Sequence, residues 1–194
     1  MDTLIKNMEQ YAQLNNIPIM QKDGIDFLCT FIQKHKIKRI LEIGTAIGYS
    51  AICMANLDKD IHVTTIERDA SRYLEALNNI KQANKKNQIL VYHADALNFE
   101  IKETFDLIFI DAAKAQYIKF FEHYKTNLNK GGYIISDNLK FHGLVNHIDK
   151  VKNRNTKQLV RKIQRYITYL EEHTEYTTKF YDVGDGVAIS KRNE

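Results

Sequence analysis

The sequence predicts an α/β fold of the Rossmann-like, doubly wound type, with a mostly parallel sheet, extra N-terminal helices and a C-terminal antiparallel hairpin. Three observations lead to this prediction. Short apolar segments alternate with amphipathic helical segments, as they do in parallel sheets joined by crossover helices. A glycine-containing turn follows the first apolar segment, and acidic residues follow several of the others. Ligands of open α/β sheets bind at these carboxyl ends, so we expect a binding site there.

The N-terminal part, residues 1–36, predicts two helices that are separated at Pro18, the single proline of the chain. Residues 37–194 then supply the Rossmann-like core. A chain of 194 residues with 44% hydrophobic residues is long enough for one well-buried domain and short for two. We therefore expect a single domain over residues 1–194.

The core elements follow in order along the chain. The predicted parallel strands are 39–43, 62–67, 89–93, 105–110 and 133–136. The predicted helices between them are 50–57, 70–83 and 116–128, the last of which ends before Gly131 and Gly132. Segments 176–182 and 187–190, joined through Gly184, Asp185 and Gly186, predict the hairpin.

Composition excludes several classes of function. No apolar run approaches the roughly 18 residues of a membrane span, and no secretory signal pattern begins the chain, so we expect a soluble cytoplasmic protein without a membrane partner. Cys29 and Cys53 lie in apolar settings and make no disulfide framework, which fits a reducing compartment. The seven histidines show no zinc-ligand spacing, and no GxSxG or P-loop motif occurs. Zinc chemistry, acyl transfer and nucleotide hydrolysis therefore have no support.

The turn LEIGTAIGYSA indicates a nucleoside-type ligand. Gly44 and Gly48 allow close approach to the backbone, but they are four residues apart and do not form the dinucleotide motif GxGxxG, so a ligand without phosphates fits better. Glu67 ends the second strand, where an acid commonly accepts hydrogen bonds from ribose hydroxyls. Asp95 ends the third strand and is a candidate for an adenine edge. The alternative is that each acid only caps the following helix.

Asp111, Asp137 and Asn138 follow two neighbouring buried strands. They offer hard oxygen ligands from adjacent strand ends, which is the ligand chemistry that Mg²⁺ prefers. Mg²⁺ usually keeps open positions for water or substrate oxygens, so the sequence predicts a catalytic metal site here. Lys114 lies three residues after Asp111 and is a candidate base, with a purely electrostatic or solvated lysine as the alternative.

The motifs EIGTAIGYSA, IERD, HADAL, FIDAAKAQY and SDN, in this order, resemble the S-adenosylmethionine-dependent, metal-dependent O-methyltransferases related to catechol and caffeoyl-CoA methyltransferases. The segments IPIMQKDG, VNHIDKVKNRNTKQLVRKIQRY and VGDGVAISK are similar to bacterial tRNA methyltransferases that act on 5-hydroxyuridine at the wobble position. The resemblance implies methyl transfer from S-adenosylmethionine with Mg²⁺, and a homodimer. The chain has no tryptophan, which departs from the aromatic gatekeepers of catechol enzymes.

The resemblance also implies a role for each matching residue. Asp111 would bind both the metal and the methyl donor, Asp137 and Asn138 would complete the protein's metal ligands, and Lys114 would be the catalytic lysine. The remaining donor-binding residues implied by the resemblance are Met20, Gly44, Ser50, Glu67, Asp95 and Ala96.

A basic segment follows the predicted metal-binding turn. Helical spacing places Arg154, Lys157, Arg161 and Arg165 on one stripe, opposite an apolar face. A tRNA anticodon loop is the partner that this stripe favours, because phosphate contacts can position a substrate and loop bases are already partly unstacked. The candidates for stacking on a flipped base are Tyr49, Tyr117, Phe141 and His142.

Three functions remain open from the sequence. The first is a tRNA methyltransferase that makes 5-methoxyuridine from 5-hydroxyuridine. The second is a small-molecule, catechol-type O-methyltransferase, in which the basic stripe is only a solvated helix face. The third is a non-catalytic RNA-binding protein that retains the donor fold.

Overall fold

The computed structural model describes residues 1–193, and its centre is one seven-stranded sheet with the order β3-β2-β1-β4-β5-β7-β6. The strands are β1 (Arg39–Ile43), β2 (His62–Glu67), β3 (Ile89–His93), β4 (Phe105–Ile110), β5 (Leu128–Ser136), β6 (Tyr176–Tyr181) and β7 (Val187–Arg192). The α-helices are α1 (Asp2–Leu14), α2 (Lys22–Lys34), α3 (Tyr49–Ala55), α4 (Ala70–Gln82), α5 (Tyr117–Tyr124) and α6 (Arg154–Glu172).

The strand pairing confirms the predicted fold class. β1 to β5 run parallel, and β1 pairs with both β2 and β4, so the strand order reverses beside β1. β7 inserts antiparallel between β5 and β6, which makes the C-terminal hairpin part of the main sheet. The reversal beside β1 opens a crevice at the carboxyl ends of β1 and β4, where ligands of such sheets bind.

Buried side chains cover both faces of the sheet. One cluster joins the sheet to α1, α2 and α3, and the other joins it to α5 and α6. Strands with apolar residues on both faces are expected where helices lie on both sides. Within residues 1–193, no helix has the length and apolar character needed to cross a bilayer.

Two predicted boundaries were wrong. The region predicted as one helix over 116–128 consists of a 3₁₀ turn (Lys114–Gln116), the short helix α5 and a second 3₁₀ turn (Lys125–Asn127). β5 begins at Leu128 instead of Tyr133, with a register shift between Phe105 and Leu107 on the neighbouring strand. The glycines that were interpreted as a break lie at this irregularity, since Gly131 has a positive φ of 70° and a bulge accommodates such a residue.

Helix α6 begins later than the basic segment does. Its N-cap is Asn153, whose side chain accepts hydrogen bonds from the backbone N–H groups of Asn155 and Thr156 at 2.9 and 3.1 Å. The preceding residues Ile148–Lys150 form a 3₁₀ turn. The four residues of the predicted stripe all lie within α6, so the stripe itself lies on one continuous helix.

Candidate active site

The turn after β1 is built on a close contact between two backbones. Gly44 has a φ of 103°, and a Cβ atom added there would lie 2.1 Å from the carbonyl oxygen of Asp111. Only glycine fits both this φ and this approach. The turn is therefore pressed against the end of β4, which places the candidate metal ligand Asp111 beside the glycine turn.

The carboxylate of Glu67 is fixed by two backbone donors. Its Oε2 accepts from the N–H of Ala46 at 2.8 Å, and its Oε1 accepts from the N–H of Asp69 at 2.9 Å. The helix α4 is capped instead by Asp69, which accepts from the N–H of Arg72. Glu67 is thus not the helix cap, and each of its oxygens retains a lone pair for a further donor such as a ribose hydroxyl.

A cavity of about 300 Å³ lies at the carboxyl ends of β1, β2, β3 and β4. Most of the predicted site residues line it: Gly44, Glu67, Asp95, Ala96, Asp111, Lys114 and Asn138. Asp95 is exposed and accepts a hydrogen bond from the N–H of Leu97 at 3.0 Å. The fold therefore brings the nucleoside, metal and lysine candidates into one crevice.

Met20 and Ser50 do not line this cavity. Met20 is buried, with its Cε and Cγ packed near Gly24 at the start of α2. The hydroxyl of Ser50 donates a hydrogen bond to the buried carboxyl of Glu42. The structure therefore does not bring these two predicted donor-binding residues to the cavity surface.

The cavity also contains residues that sequence reasoning did not identify. Pro18 and Ile19 reach it from the segment before α2, Arg68 and Arg72 from the segment after β2, and Phe120 from α5. Arg68 follows Glu67 directly and Arg72 lies in the first turn of α4, so the proximity of both arginines to a strand end was a usable signal. The other three depend on how distant helices pack, which no local pattern reveals.

Glu42 lies beneath the glycine turn and is completely buried. Its Oε1 accepts from Ser50, and its Oε2 accepts from the hydroxyl of Thr65 at 2.6 Å. Burial raises the pKa of Glu42 to about 8, although the two hydroxyl donors oppose the shift. The acid therefore ties β1, β2 and α3 together under the cavity.

The three metal candidates are in contact. The amide Nδ2 of Asn138 donates to Asp111 Oδ1 at 3.1 Å and to Asp137 Oδ2 at 2.9 Å. Asn138 adopts a φ of 63°, which turns its side chain toward both acids. Burial raises the pKa of Asp137, and the nearby charge of Asp111 raises it further. Burial likewise raises the pKa of Asp111, while Lys114 opposes the shift.

The residues present fit a divalent cation. Asp137 is 3% exposed, and its Oδ1 is a buried oxygen without a hydrogen-bond partner among the described residues. A positive charge stabilises two carboxylates that lie close together, especially when one of their oxygens accepts no hydrogen bond. Rotation of the Asn138 amide by half a turn would point its oxygen, instead of its nitrogen, toward the two acids, and would so provide a third oxygen ligand for the cation. No group of three His, Cys, Asp or Glu side chains suited to a metal occurs within residues 1–193, so the donor set depends on the asparagine.

Lys114 begins the 3₁₀ turn after β4 and is half-buried at the cavity. Its Nζ lies 5.9 Å from the centre of the Phe141 ring, within the range of a cation–π contact. Its charge lowers the pKa of both Asp111 and Asp137. The structure thus places this lysine beside the metal candidates rather than in bulk solvent.

Helix α6 is attached directly to the site. The hydroxyls of Tyr166 and Ser136 lie 2.6 Å apart, and Gln164 Nε2 donates to the carbonyl oxygen of Val145 at 2.9 Å. Since Ser136 immediately precedes the metal candidates, the helix and the site share one anchor. The side chains of Arg154, Arg161 and Arg165 are exposed and that of Lys157 is half-buried. None of these four forms an ion pair with a carboxylate in the part of the chain that the structure describes.

Two of the four candidates for base stacking belong to the core. Tyr117 is 1% exposed and donates a hydrogen bond to the carbonyl oxygen of Asp137 at 3.1 Å. Tyr49 is 3% exposed and donates to Glu9 at 2.7 Å. Their positions therefore exclude stacking in this conformation. Phe141 and His142 lie on the loop after β5, half-buried and exposed respectively, and remain candidates.

Comparisons with a family model and with known proteins all match this chain to O-methyltransferases. A family model described as O-methyltransferase matches residues 1–193. The chain is 26% identical over 193 residues to a caffeoyl-CoA O-methyltransferase from Populus kitakamiensis, and the match covers 95% of this chain and 82% of the relative. It is 31% identical over 155 residues to a catechol O-methyltransferase from Niastella koreensis, with 76% and 68% covered.

Solved structures agree with this result. A Staphylococcus aureus protein provisionally named a caffeoyl-CoA O-methyltransferase has a TM-score of 0.94 and 40% identity, with 97% of this chain and 92% of that chain covered. An O-methyltransferase from Bacillus cereus, solved in complex with S-adenosylhomocysteine, has a TM-score of 0.84 and 26% identity, with 100% and 92% covered.

Proposed function

Because this chain belongs to the O-methyltransferase family and is an S-adenosylmethionine-dependent enzyme, we propose that its acceptor is 5-hydroxyuridine at the wobble position of tRNA. The product would be 5-methoxyuridine. The partner in this proposal is the tRNA anticodon loop.

A basic groove beside the catalytic cavity carries the proposal. It lies between α6 and the segment that begins with Lys114, and its charged residues are Lys114, Lys119, Lys162 and Arg165. No acidic residue lines it. Lys114 and Gln116 line both this groove and the cavity. A polyanionic backbone that follows the groove would therefore reach the candidate catalytic lysine.

The groove continues onto the outer face of α6. Arg165 also borders a shallow depression that contains Arg161 and one acid, Glu172, so the two arginines extend the basic surface away from the cavity along the helix. A small acceptor does not need such an extended basic surface, whereas a nucleic acid is held mainly through its phosphates. An unstacked anticodon base is also easier to insert into a crevice than a paired base.

The reaction is an in-line displacement. The 5-hydroxyl oxygen forms a bond to the methyl carbon, the carbon–sulfur bond of the donor breaks, and the sulfur keeps the electron pair. In the proposal the neutral amine form of Lys114 accepts the hydroxyl proton at Nζ and so becomes the ammonium ion, and Glu67 and Gly44 hold the donor so that its methyl group faces the acceptor. Asp111, Asp137 and Asn138 would hold Mg²⁺, which when bound supplies a Lewis acid that orients the acceptor oxygens and lowers the hydroxyl pKa.

A small vicinal diol is the second candidate acceptor. The relatives named above act, by their names, on caffeoyl-CoA or catechol. A catechol presents two neighbouring oxygens, as the O4 and O5 atoms of 5-hydroxyuridine do, so the same site chemistry fits both. The basic groove distinguishes tRNA from a free catechol, which carries no phosphate to bind there, but not from a coenzyme A ester, whose phosphates also fit a basic groove.

Nucleoside mass spectrometry of tRNA tests the proposal. Cells that lack this protein should accumulate 5-hydroxyuridine and lose 5-methoxyuridine at the wobble position, and the purified enzyme should restore the methyl group in vitro. An unchanged nucleoside profile together with turnover of free catechols would refute the tRNA assignment and support the small diol.

Charge variants locate the RNA surface. Arg161→Ala combined with Arg165→Ala should weaken tRNA binding and reduce the slope of log affinity against log salt by about two, because each arginine would no longer neutralise a phosphate. The matched control is Lys81→Ala combined with Lys86→Ala, which removes the same charge from exposed positions beside β3 at the other edge of the sheet. Equal reductions of affinity in both pairs would show that binding depends on net charge rather than on the groove.

A further inference from the structure

The loop after β5 has an unusual backbone. Asn138, Phe141, His142 and Gly143 all have positive φ values, of 63°, 46°, 55° and 78°. Three of these are not glycine, and non-glycine residues adopt this left-handed region rarely and at a cost. Such a conformation persists only where the surrounding structure holds it, and it is concentrated at functional sites.

Asp185 holds this loop from the β6–β7 turn. Its Oδ1 accepts a hydrogen bond from the N–H of His142 at 2.6 Å, and its carbonyl oxygen accepts from the N–H of Lys140 at 2.7 Å. The N–H of Leu139 donates to the carbonyl oxygen of Gly186 at 3.0 Å. A Cβ atom at Gly186 would lie 2.8 Å from Lys140 Cγ, so the absence of a side chain there permits the contact.

The side chain of Asp185 departs from the rule that buried polar atoms form hydrogen bonds. It is 6% exposed, and its Oδ2 has no hydrogen-bond partner among the described residues but lies 3.8 Å from Nδ1 of His142 in the loop. A buried carboxylate with one oxygen that accepts no hydrogen bond is disfavoured unless its other contacts offset the cost. Those contacts are to the loop. The loop in turn carries Phe141, whose ring lies beside Lys114.

We propose that Asp185 is a positioning residue for methyl transfer: its carboxylate holds loop 138–143 in the left-handed conformation and so keeps Phe141 against Lys114 and Asn138 against the two acids. It acts through the loop and does not contact the donor cavity, which it does not line. The proposal goes beyond the choice of acceptor, because the same loop borders the reaction centre for tRNA and for a small diol.

A single fluorophore can report on the loop, because the chain contains no tryptophan. In a Phe141→Trp background, Asp185→Ala should shift the emission of the half-buried indole to longer wavelength, whereas Asp185→Asn, which keeps an accepting oxygen for the His142 N–H, should not. This comparison needs no acceptor, so its result is independent of whether tRNA is the substrate.

Kinetics in the wild-type background test the consequence. Asp185→Ala should lower kcat about tenfold or more, the rate equivalent of one charge-assisted hydrogen bond, and leave the Kd for S-adenosylmethionine within about twofold. Asp185→Asn should recover most of kcat. The control is Asp182→Ala, from the same turn, which removes an exposed ion pair to Lys140 and should change neither kcat nor emission.

Three outcomes would overturn the proposal. They are unchanged emission and kcat in Asp185→Ala, an equal defect in Asp185→Asn, and an equal defect in Asp182→Ala. If Asp185→Ala does not fold, Asp185→Ser, whose hydroxyl is too short to span the same distance, takes its place against Asp185→Asn. Protection of the His142 amide in hydrogen exchange then decides, with loss expected in the serine variant and retention in the asparagine variant.

Discussion

The buried acids at the two ends of the crevice differ in how many of their carboxylate oxygens accept hydrogen bonds. At the donor end, all four carboxylate oxygens of Glu42 and Glu67 accept hydrogen bonds, from Ser50, Thr65 and two backbone N–H groups. At the acceptor end, Asp137 and Asp185 each keep a buried oxygen without a partner in the described part of the chain.

This difference separates a preformed binding site from one whose crowded acids are only partly compensated by the charge of Lys114. The donor end has already satisfied its polar groups, so it can receive an organic ligand with little rearrangement. At the acceptor end the charge of Asp111 raises the pKa of Asp137, which shows that the two carboxylates repel each other. A cation there would offset this repulsion, which supports the proposal that the acceptor end holds Mg²⁺.

The largest expected effect comes from Asp137→Asn, which removes one acid from the acceptor end only. Methyl transfer should fall about 1000-fold, the rate equivalent of about 4 kcal/mol, because the proposed Mg²⁺ would lose one of its ligands. Donor affinity should not change, since Asp137 does not line the donor cavity. Without added metal, and above the raised pKa of Asp137, the melting temperature should rise, because the repulsion between the ionised Asp137 and Asp111 is relieved. Radiolabelled methyl transfer, calorimetry and thermal unfolding measure the three quantities.

Asp106→Asn is the matched contrast. Asp106 accepts hydrogen bonds from the backbone N–H groups of Lys38 and Arg39 at 3.1 and 2.9 Å, at the opposite end of β4. Its substitution should lower stability and spare catalysis. If Asp137→Asn instead destabilised the metal-free protein as Asp106→Asn does, charge repulsion would not be what distinguishes the acceptor end from the donor end.

Local signals explain what could be predicted from the sequence. Strand and helix periods predicted the sheet, and the end of each parallel strand predicted which side of the sheet would carry Gly44, Glu67 and Asp111. Because parallel strands share a direction, residues far apart in the chain converge at one edge without further information. The fold class and the grouping of the candidate site residues follow from this regularity.

Contacts between distant segments could not be predicted. The pairing of Asp185 with the loop after β5 spans 43 residues and uses an ordinary Asp-Gly turn. The interpretation of Gly131 and Gly132 as the end of a helix was wrong, because glycine is equally typical of a helix end and of an irregularity within a strand. Tyr117 shows the same limit, since its aromatic ring is equally suited to stacking on a base and to the core position that it occupies.

A smaller effect is expected at the donor end from Glu67→Gln. The amide would place an N–H₂ group toward either Ala46 N–H or Asp69 N–H, so one of the two existing hydrogen bonds and one ribose contact would weaken. The Kd for S-adenosylhomocysteine should rise about tenfold, as expected when a hydrogen bond to a charged group is removed, and kcat at saturating donor should change little. Titration calorimetry measures the Kd.

The exposed Glu100 supplies the control for this variant, because its side chain is 85% exposed and lies outside the cavity lining. Glu100→Gln should leave the Kd unchanged. A fall in kcat as large as the rise in Kd for Glu67→Gln would mean that the two ends of the crevice are coupled and do not act as separate sites.

An effect on stability rather than on catalysis is expected from Glu42, the buried acid beneath the glycine turn, because burial raises its pKa to about 8 from an ordinary value of 4.5. Between these two pH values the unfolded chain loses this proton and the folded protein keeps it, so the free energy of unfolding should fall as pH rises, by at most about 1.4 kcal/mol per pH unit from this group. Below 4.5 both states hold the proton, and above 8 neither does, so Glu42 changes the slope of the unfolding free energy against pH only between these two values.

Glu42→Gln removes the titrating group, and the free energy from urea unfolding between pH 5 and 8 should therefore depend less steeply on pH than in the wild type. Asp111 and Asp137 titrate in both proteins, so the difference between the two curves isolates Glu42. Parallel curves would mean that the hydrogen bonds from Ser50 and Thr65 keep Glu42 ionised, and the donor end would then be fully satisfied in charge as well as in hydrogen bonding.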